Sequence, residues 1–155
     1  MPDVTEMYDG QSWSQGVAIP AIPDPSLCAS TNGPFCGVGS VSCVSVTFCV
    51  GLAGEGASGV GQGYALIYNG STWSPPSPMD HGGGGQLKLS CASTSFCAAA
   101  DWDGNVLTYD GSAWSPILHI DDGDPGLDSI SCPSSNFCAT TDPDGTVYTS
   151  THPTS

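Results

Sequence analysis

The sequence contains no arginine and a single lysine, Lys88, against fifteen Asp and Glu residues, for a formal net charge of −14 over 155 residues. Phosphate recognition depends on Lys and Arg releasing condensed counterions, so nucleic-acid partners are excluded. Attraction to an anionic membrane surface fails for the same reason. Intramolecular salt bridges cannot hold the fold together, because the carboxylates have almost no cations to pair with. No apolar run is long enough to cross a bilayer. No secretory leader precedes Met1-Pro2-Asp3, which leads us to expect a mature or recombinant piece of a secreted protein, or a different export route. No window of eleven residues carries a helical apolar stripe, so no helix is expected. There is also no Cys-x-x-Cys, which removes the usual start of a zinc site.

What is present is turn chemistry, cysteine and repetition. Gly (21) and Pro (13) punctuate a chain that is 39% hydrophobic, a composition suited to short strands joined by tight turns. The string Tyr-Asp/Asn-Gly-x-x-Trp-Ser occurs at Tyr8–Ser14, Tyr68–Ser74 and Tyr109–Ser115. A Ser-Cys-x5-Cys unit follows the second and third copies eighteen residues after the Trp, and the first copy after thirty. Three cysteine pairs share this spacing (Cys43/Cys49, Cys91/Cys97, Cys132/Cys138), while Cys28/Cys36 is wider, and Phe precedes the second Cys of every pair. Eight cysteines in such a chain indicate an oxidising, extracellular setting. Each pair reads as a disulfide stapling a hairpin, worth roughly 2–2.5 kcal/mol by loop entropy.

The repeat is traced most clearly over residues 86–115, where it predicts strands at Gln86–Cys91, Phe96–Ala100, Asn105–Tyr109 and near Ala113–Ser115, the middle pair joined by Asp101-Trp102-Asp103-Gly104. Four antiparallel strands in a meander form a propeller blade. The expected architecture is a single all-β repeat domain over 1–155, with a closing segment at 1–14 and blade 1 at 15–74, enlarged by insertions. Blade 2 covers 86–115 and an incomplete blade 3 covers 127–150. The N-terminal strand is expected to complete the last blade, removing exposed edges. A β-trefoil is the alternative. Three blades are too few for a ring, so a propeller implies self-association (six blades from two chains) or a longer parent.

The units Val-Ser-Cys-x5-Cys and Tyr-Asn-Gly-Ser-Thr-Trp-Ser (Tyr68–Ser74) resemble the secreted repeat proteins common in actinobacteria, which are expected to form propellers. More loosely, Asp-Gly-x-x-Trp is similar to the Asp-box of sialidase-type repeats. The resemblance covers nearly all of the chain except Gln15–Gly39 and implies architecture rather than activity. A sialidase site does not carry over, because its arginine cluster has no counterpart here.

Candidate ligand-binding residues are Trp13, Trp73 and Trp114, which recur in every unit and read either as sugar-stacking faces or as blade packing. Trp102 stands apart, because its counterpart in the next unit is Pro143 and the repeat does not require it. It is the best single contact residue, flanked by Asp101 and Asp103. The cluster Asp121, Asp122, Asp124 is a weak calcium candidate, since three carboxylates in four residues repel unless a cation separates them. No other cofactor is expected. Gly54–Gly59 fits a nucleotide-loop pattern without the required helix, and Asn69 heads a glycosylation sequon explained equally by its turn. His81, His119 and His152 lie outside any catalytic motif, so an enzyme is not expected. The resulting expectation is a secreted, non-catalytic, lectin-like module for carbohydrate. A self-assembling extracellular scaffold or filament subunit is the alternative.

Overall fold

The computed structural model describes residues 4–23, 37–57, 60–79, 87–123 and 126–151, with the side chains of 55–61 also left aside. Cys28, Cys36, Asp124, His81 and His152 therefore lie outside the described residues. Thirteen strands and no helix make up the rest.

Three meanders follow one another along the chain. The first runs β3 (Gly37–Ser45), β4 (Phe48–Ala57), β5 (Val60–Tyr68) and β6 (Ser77–Pro78). The second runs β7 (Lys88–Ser93), β8 (Phe96–Ala100), β9 (Asn105–Tyr109) and β10 (Leu118–His119). The third has β11 (Ser129–Ser134), β12 (Phe137–Thr141) and β13 (Val147–Ser150). All pairings are antiparallel between sequence neighbours, and β3, β7 and β11 lie side by side. Innermost strands meeting their successors is the geometry of a β-propeller, and we refer to the meanders as blades 1 to 3. The all-β, propeller-like expectation holds, and the trefoil alternative does not.

The first hairpin of each blade is stapled as expected: Cys43–Cys49, Cys91–Cys97 and Cys132–Cys138, with Cα–Cα separations of 4.0, 3.9 and 4.2 Å. The glycine-rich insertion of blade 1 lengthens the β4–β5 hairpin, whose register runs from Cys49↔Tyr68 to Ala57↔Val60. One of its glycines answers a packing demand. A Cβ on Gly51 would come within 3.2 Å of the Trp73 ring, so the indole lies across bare backbone.

The fourth strands begin later than the sequence suggests. Trp114 only bridges Tyr109, and β10 starts at Leu118 rather than near Ala113–Ser115. The cause is the Ser after each Trp. The Ser115 hydroxyl accepts the Thr108 N–H at 3.0 Å, while the Ser115 N–H donates to the Thr108 carbonyl at 2.7 Å. Ser74 does the same to Ile67 and Ser14 to Met7. A hydroxyl stands in for a ladder carbonyl, Pro75 and Pro116 follow without an N–H to offer, and regular pairing resumes only beyond them.

The N-terminal segment also departs from expectation. β1 (Val4–Thr5) pairs with β2 (Val17–Ala18) in a two-stranded sheet of its own, and β13 is the last strand of its sheet. The register Thr5↔Val17 is the counterpart of Ala65↔Ser77 and Val106↔Leu118, so the hairpin is the outer half of a blade. It brings its own third strand, which β13 already supplies, and therefore does not complete blade 3 within the chain. It packs on blade 1 instead, where Met7, Val17 and Ile19 join Tyr64, Leu66, Tyr68 and Trp73.

The apolar clusters lie between sheets. Phe48, Val50, Leu52 and Ala65 of blade 1 meet Leu89, Leu107, Tyr109 and Trp114 of blade 2. Phe96 and Ala98 of blade 2 meet Ile130, Cys132 and Cys138 of blade 3. Phe48 and Phe96 thus face forward, and the Tyr68–Trp73 and Tyr109–Trp114 pairs face back. A polar link accompanies this packing. The Cys91 N–H donates to the Ser42 hydroxyl and the Cys132 N–H to the Ser90 hydroxyl, both at 2.9 Å. The Ser of the first two Ser-Cys units thus ties its own blade to the next.

Candidate functional site: the acidic end of the blades

A meander alternates its turns between two ends. At one end lie the turns joining first to second and third to fourth strands, as the approach of Gly70 to Thr47 and of Gly111 to Ser95 confirms. That end is built from Ser, Thr and Gly, with Asp9, Asn69 and Asp110 closing the outer turns through their own backbone. The Asp110 carboxylate accepts the N–H groups of Ala113 and Ser112 and the Ser112 hydroxyl, which holds its pKa at about 2. Bonds from Ser12 and then Gln11 lower Asp9 in the same way.

The opposite end carries the turns between second and third strands and the connections between blades. Asp101, Trp102 and Asp103 sit there with Asp121, Asp122 and Asp128, and blade 3 adds Asp142 and Asp144. Lys88, at the start of β7, is the one cation in this region. Asp101 is wholly buried. Its carboxylate accepts the N–H groups of Asp103 and Asn105 at 2.9 Å and the Asn105 amide at 3.1 Å. It shapes the turn and is not available to a ligand. Gly104 takes φ +77°, and a Cβ there would collide with the Asp121 backbone carbonyl. The Gly126 N–H donates to the Trp102 carbonyl and the Leu127 N–H to the Asp101 carbonyl, both at 2.9 Å. With its backbone clamped on both sides, Trp102 turns its ring outward and is 42% exposed.

Asp121 is buried behind this turn. Its Oδ1 accepts the Gly123 N–H and the Tyr148 hydroxyl, each at 2.9 Å, and that bond raises the Tyr148 pKa. Its Oδ2 has no hydrogen-bond partner among the described residues. Asp122 is fully exposed and meets His119 Nε2 at 3.0 Å, while His119 Nδ1 meets Asn105 Oδ1 at 3.0 Å. Both imidazole nitrogens are thus engaged, by a carboxylate and an amide. Among the described residues no three His, Cys, Asp or Glu side chains converge to hold a metal ion.

The four tryptophans are not brought together. Trp73 is 5% exposed and donates its indole N–H to Thr5 Oγ1 at 2.8 Å. Trp114 packs in the core between blades 1 and 2. Each packs tilted against its Tyr with ring centroids 5.4–5.5 Å apart, and Trp114 is half-buried where Trp73 is buried. Trp13 forms the same pair with Tyr8 at 5.5 Å but is 66% exposed, at the end of the blades remote from Trp102. Neither set of linking serines is evident from the sequence, since their partners lie across blades or strands. The signal was the unvarying Ser in Ser-Cys and in Trp-Ser.

Stacked, stapled meanders of three or four strands define a propeller-like repeat array. Its fold is similar to a structure of YCF48 bound to D1 peptide (TM-score 0.57, 14% identity, 77% of this chain and 38% of that one). It is similar as well to Chaetomium thermophilum Sqt1 bound to the N-terminus of the ribosomal protein L10 (TM-score 0.50, 17% identity, 74% of this chain and 34% of that one). The chain thus spans little more than a third of either protein. No family model matches the sequence, and no curated protein matches it. No helix among the described residues is long and apolar enough to cross a membrane, and the three disulfides suit an oxidising environment.

Proposed function

We propose that the chain is a secreted, non-catalytic recognition module whose acidic end binds a positively charged polypeptide segment. The observation that carries this reading is the gathering of Trp102, Asp103, Asp122, Asp128, Asp142 and Asp144 at one end of the blades, with Lys88 the one cation nearby. A field of this sign steers a basic partner toward the surface. The outward indole offers a cation–π face to Lys or Arg. The propeller-like neighbours support a polypeptide ligand, since YCF48 is bound to D1 peptide and Sqt1 to the N-terminus of the ribosomal protein L10. Secretion fits the disulfides, which the cytosol would reduce.

Titration with a fluorescent lysine-rich peptide tests this. Binding at low salt should fall steeply by 0.5 M salt, and Trp102→Ala should weaken it about fivefold, equivalent to about 1 kcal/mol. Absence of binding at low salt overturns the reading. A carbohydrate ligand is the second reading, favoured by the exposed indole beside the Asp103 carboxylate. It predicts glycan-array binding that ignores salt and disappears in Trp102→Ala.

A further inference from the structure

The joint between blades 1 and 2 is made from three contacts, two of which recur between blades 2 and 3. The forward Phe of one blade shares an apolar cluster with an aliphatic residue on the next blade's first strand: Phe48 with Leu89, then Phe96 with Ile130. The Ser hydroxyl of one Ser-Cys accepts the next Cys N–H: Ser42 from Cys91, then Ser90 from Cys132. A Trp from an outer turn seals the back of its blade, as Trp73 and Trp114 do.

At the two ends of the array the same contacts are half made. Continuing the series, Phe137 should meet the residue aligned with Leu89 and Ile130, which in blade 1 is Val41. Phe137 is 39% exposed and Val41 is 54% exposed. Ser131 should accept from the Cys N–H aligned with Cys91 and Cys132, which is that of Cys43. The Trp series also breaks at blade 3, where the positions aligned with Tyr109 and Trp114 are Ser150 and Ser155. There a cavity of ≈ 530 Å³ opens between blades 2 and 3, lined by Ala98, Val106, Leu118, Ile130 and Val147 among others. Ala98, Val106 and Ile130 are the counterparts of Val50, Ala65 and Leu89 in the filled core between blades 1 and 2. The one repeat Trp without a core is Trp13.

We propose that a second copy of this chain makes these contacts, closing a six-bladed ring with two-fold symmetry. Phe137 packs on the second copy's Val41, and the Ser131 hydroxyl accepts the second copy's Cys43 N–H. The second copy's β2 takes the fourth-strand position beside β13, and its Trp13 fills the cavity. β2 keeps its register in the exchange, because Val147 aligns with Thr5, its partner within the chain. Swapping an equivalent element between identical chains costs few contacts and gains the burial of an indole. Six blades fall inside the usual four to eight. This inference concerns the ends of the array and stands independently of the ligand at the acidic end.

Analytical ultracentrifugation of the full chain tests it, with a dimer of the 15.7 kDa protein as the expected species. Trp13→Ala and Phe137→Asp should each weaken the dimer at least about 30-fold, as loss of a buried interface anchor does. Both residues are exposed in the single chain, so monomer folding should be unaffected, with far-UV circular dichroism as the control. Trp102→Ala should leave the dimer unchanged. Mixing Val41→Cys with Phe137→Cys protein should give a disulfide-linked pair that neither variant forms alone. A monomer at every concentration, an open ladder of polymers, or a dimer indifferent to Trp13 and Phe137 would each overturn the proposal.

Discussion

Blades 2 and 3 are two readings of nearly one unit, and they differ mainly in what lies against them. Blade 2 is packed on both faces and blade 3 on one. Phe96 is 2% exposed, whereas its counterpart Phe137 is 39% exposed. Asp101 is wholly buried under the Gly126–Leu127 connection, while Asp142 closes the same turn in contact with solvent. Gly104 and Gly145 share a positive φ, +77° and +91°, yet only the first has backbone pressed against it. A blade's local conformation is therefore written in its own turns and staple, whereas its solidity comes from its neighbours. This is the behaviour expected of repeat arrays, in which interface terms add to modest intrinsic ones.

The sharpest way to break the comparison is at the paired glycines. Gly104→Ala combines an unfavourable φ with a collision against the Asp121 carbonyl and should cost about 3 kcal/mol or more. Gly145→Ala meets only the φ penalty, about 1 kcal/mol. Urea unfolding of the two variants measures the contrast, and equal losses would show that blade 2's connection does not bear on its turn. A smaller difference is expected at the serines. Ser90→Ala orphans the Cys132 N–H and should cost about 1 kcal/mol. Ser131→Ala should stay within about 0.5 kcal/mol in the single chain, and a larger loss under dimer-forming conditions would place its partner in the second copy.

The smallest effect concerns pH. Asp110 in blade 2 is held at about 2, below its ordinary 3.8, by the Ala113 N–H and then by Ser112, whereas the aligned residue in blade 3 is Thr151. Because the folded pKa is the lower one, the contribution is complete above 3.8 and fades as pH falls toward 2. Acidification also relieves the self-repulsion of a chain of charge −14, an effect of opposite sign. Comparison with Asp110→Asn isolates the local part. The variant's thermal midpoint should converge on that of the parent between pH 4 and 2, and a constant gap would rule the contribution out.

Much of this architecture was legible in the sequence, because the repeat exposes it three times. The spacing of Cys and Phe gave the stapled hairpins, and Asp-x-Asp-Gly gave the turn that holds Trp102. Other features were hidden for physical reasons. The start of β10 depends on a hydroxyl substituting for a ladder carbonyl at Ser115, and strand propensity carries no trace of that substitution. The cross-blade bonds of Ser42 and Ser90 join residues that are neighbours only after the blades stack. The N-terminal hairpin was misassigned because a missing fourth strand at one end and a spare one at the other suggest closure within the chain. Only the register of Thr5 with Val17 reveals that the spare piece includes a third strand as well. At the candidate site Trp102 was found by its departure from the repeat, whereas the burial of Asp101 depends on a connection arriving from elsewhere.

Every described disulfide closes a loop inside one hairpin, and none joins a blade to its neighbour. A single proteolytic nick between blades would leave the covalent network in two separate pieces. Such a nicked molecule would hold together while native and fall apart in denaturant without any reductant. Integrity after such a cut thus rests on the packing between blades and not on the staples.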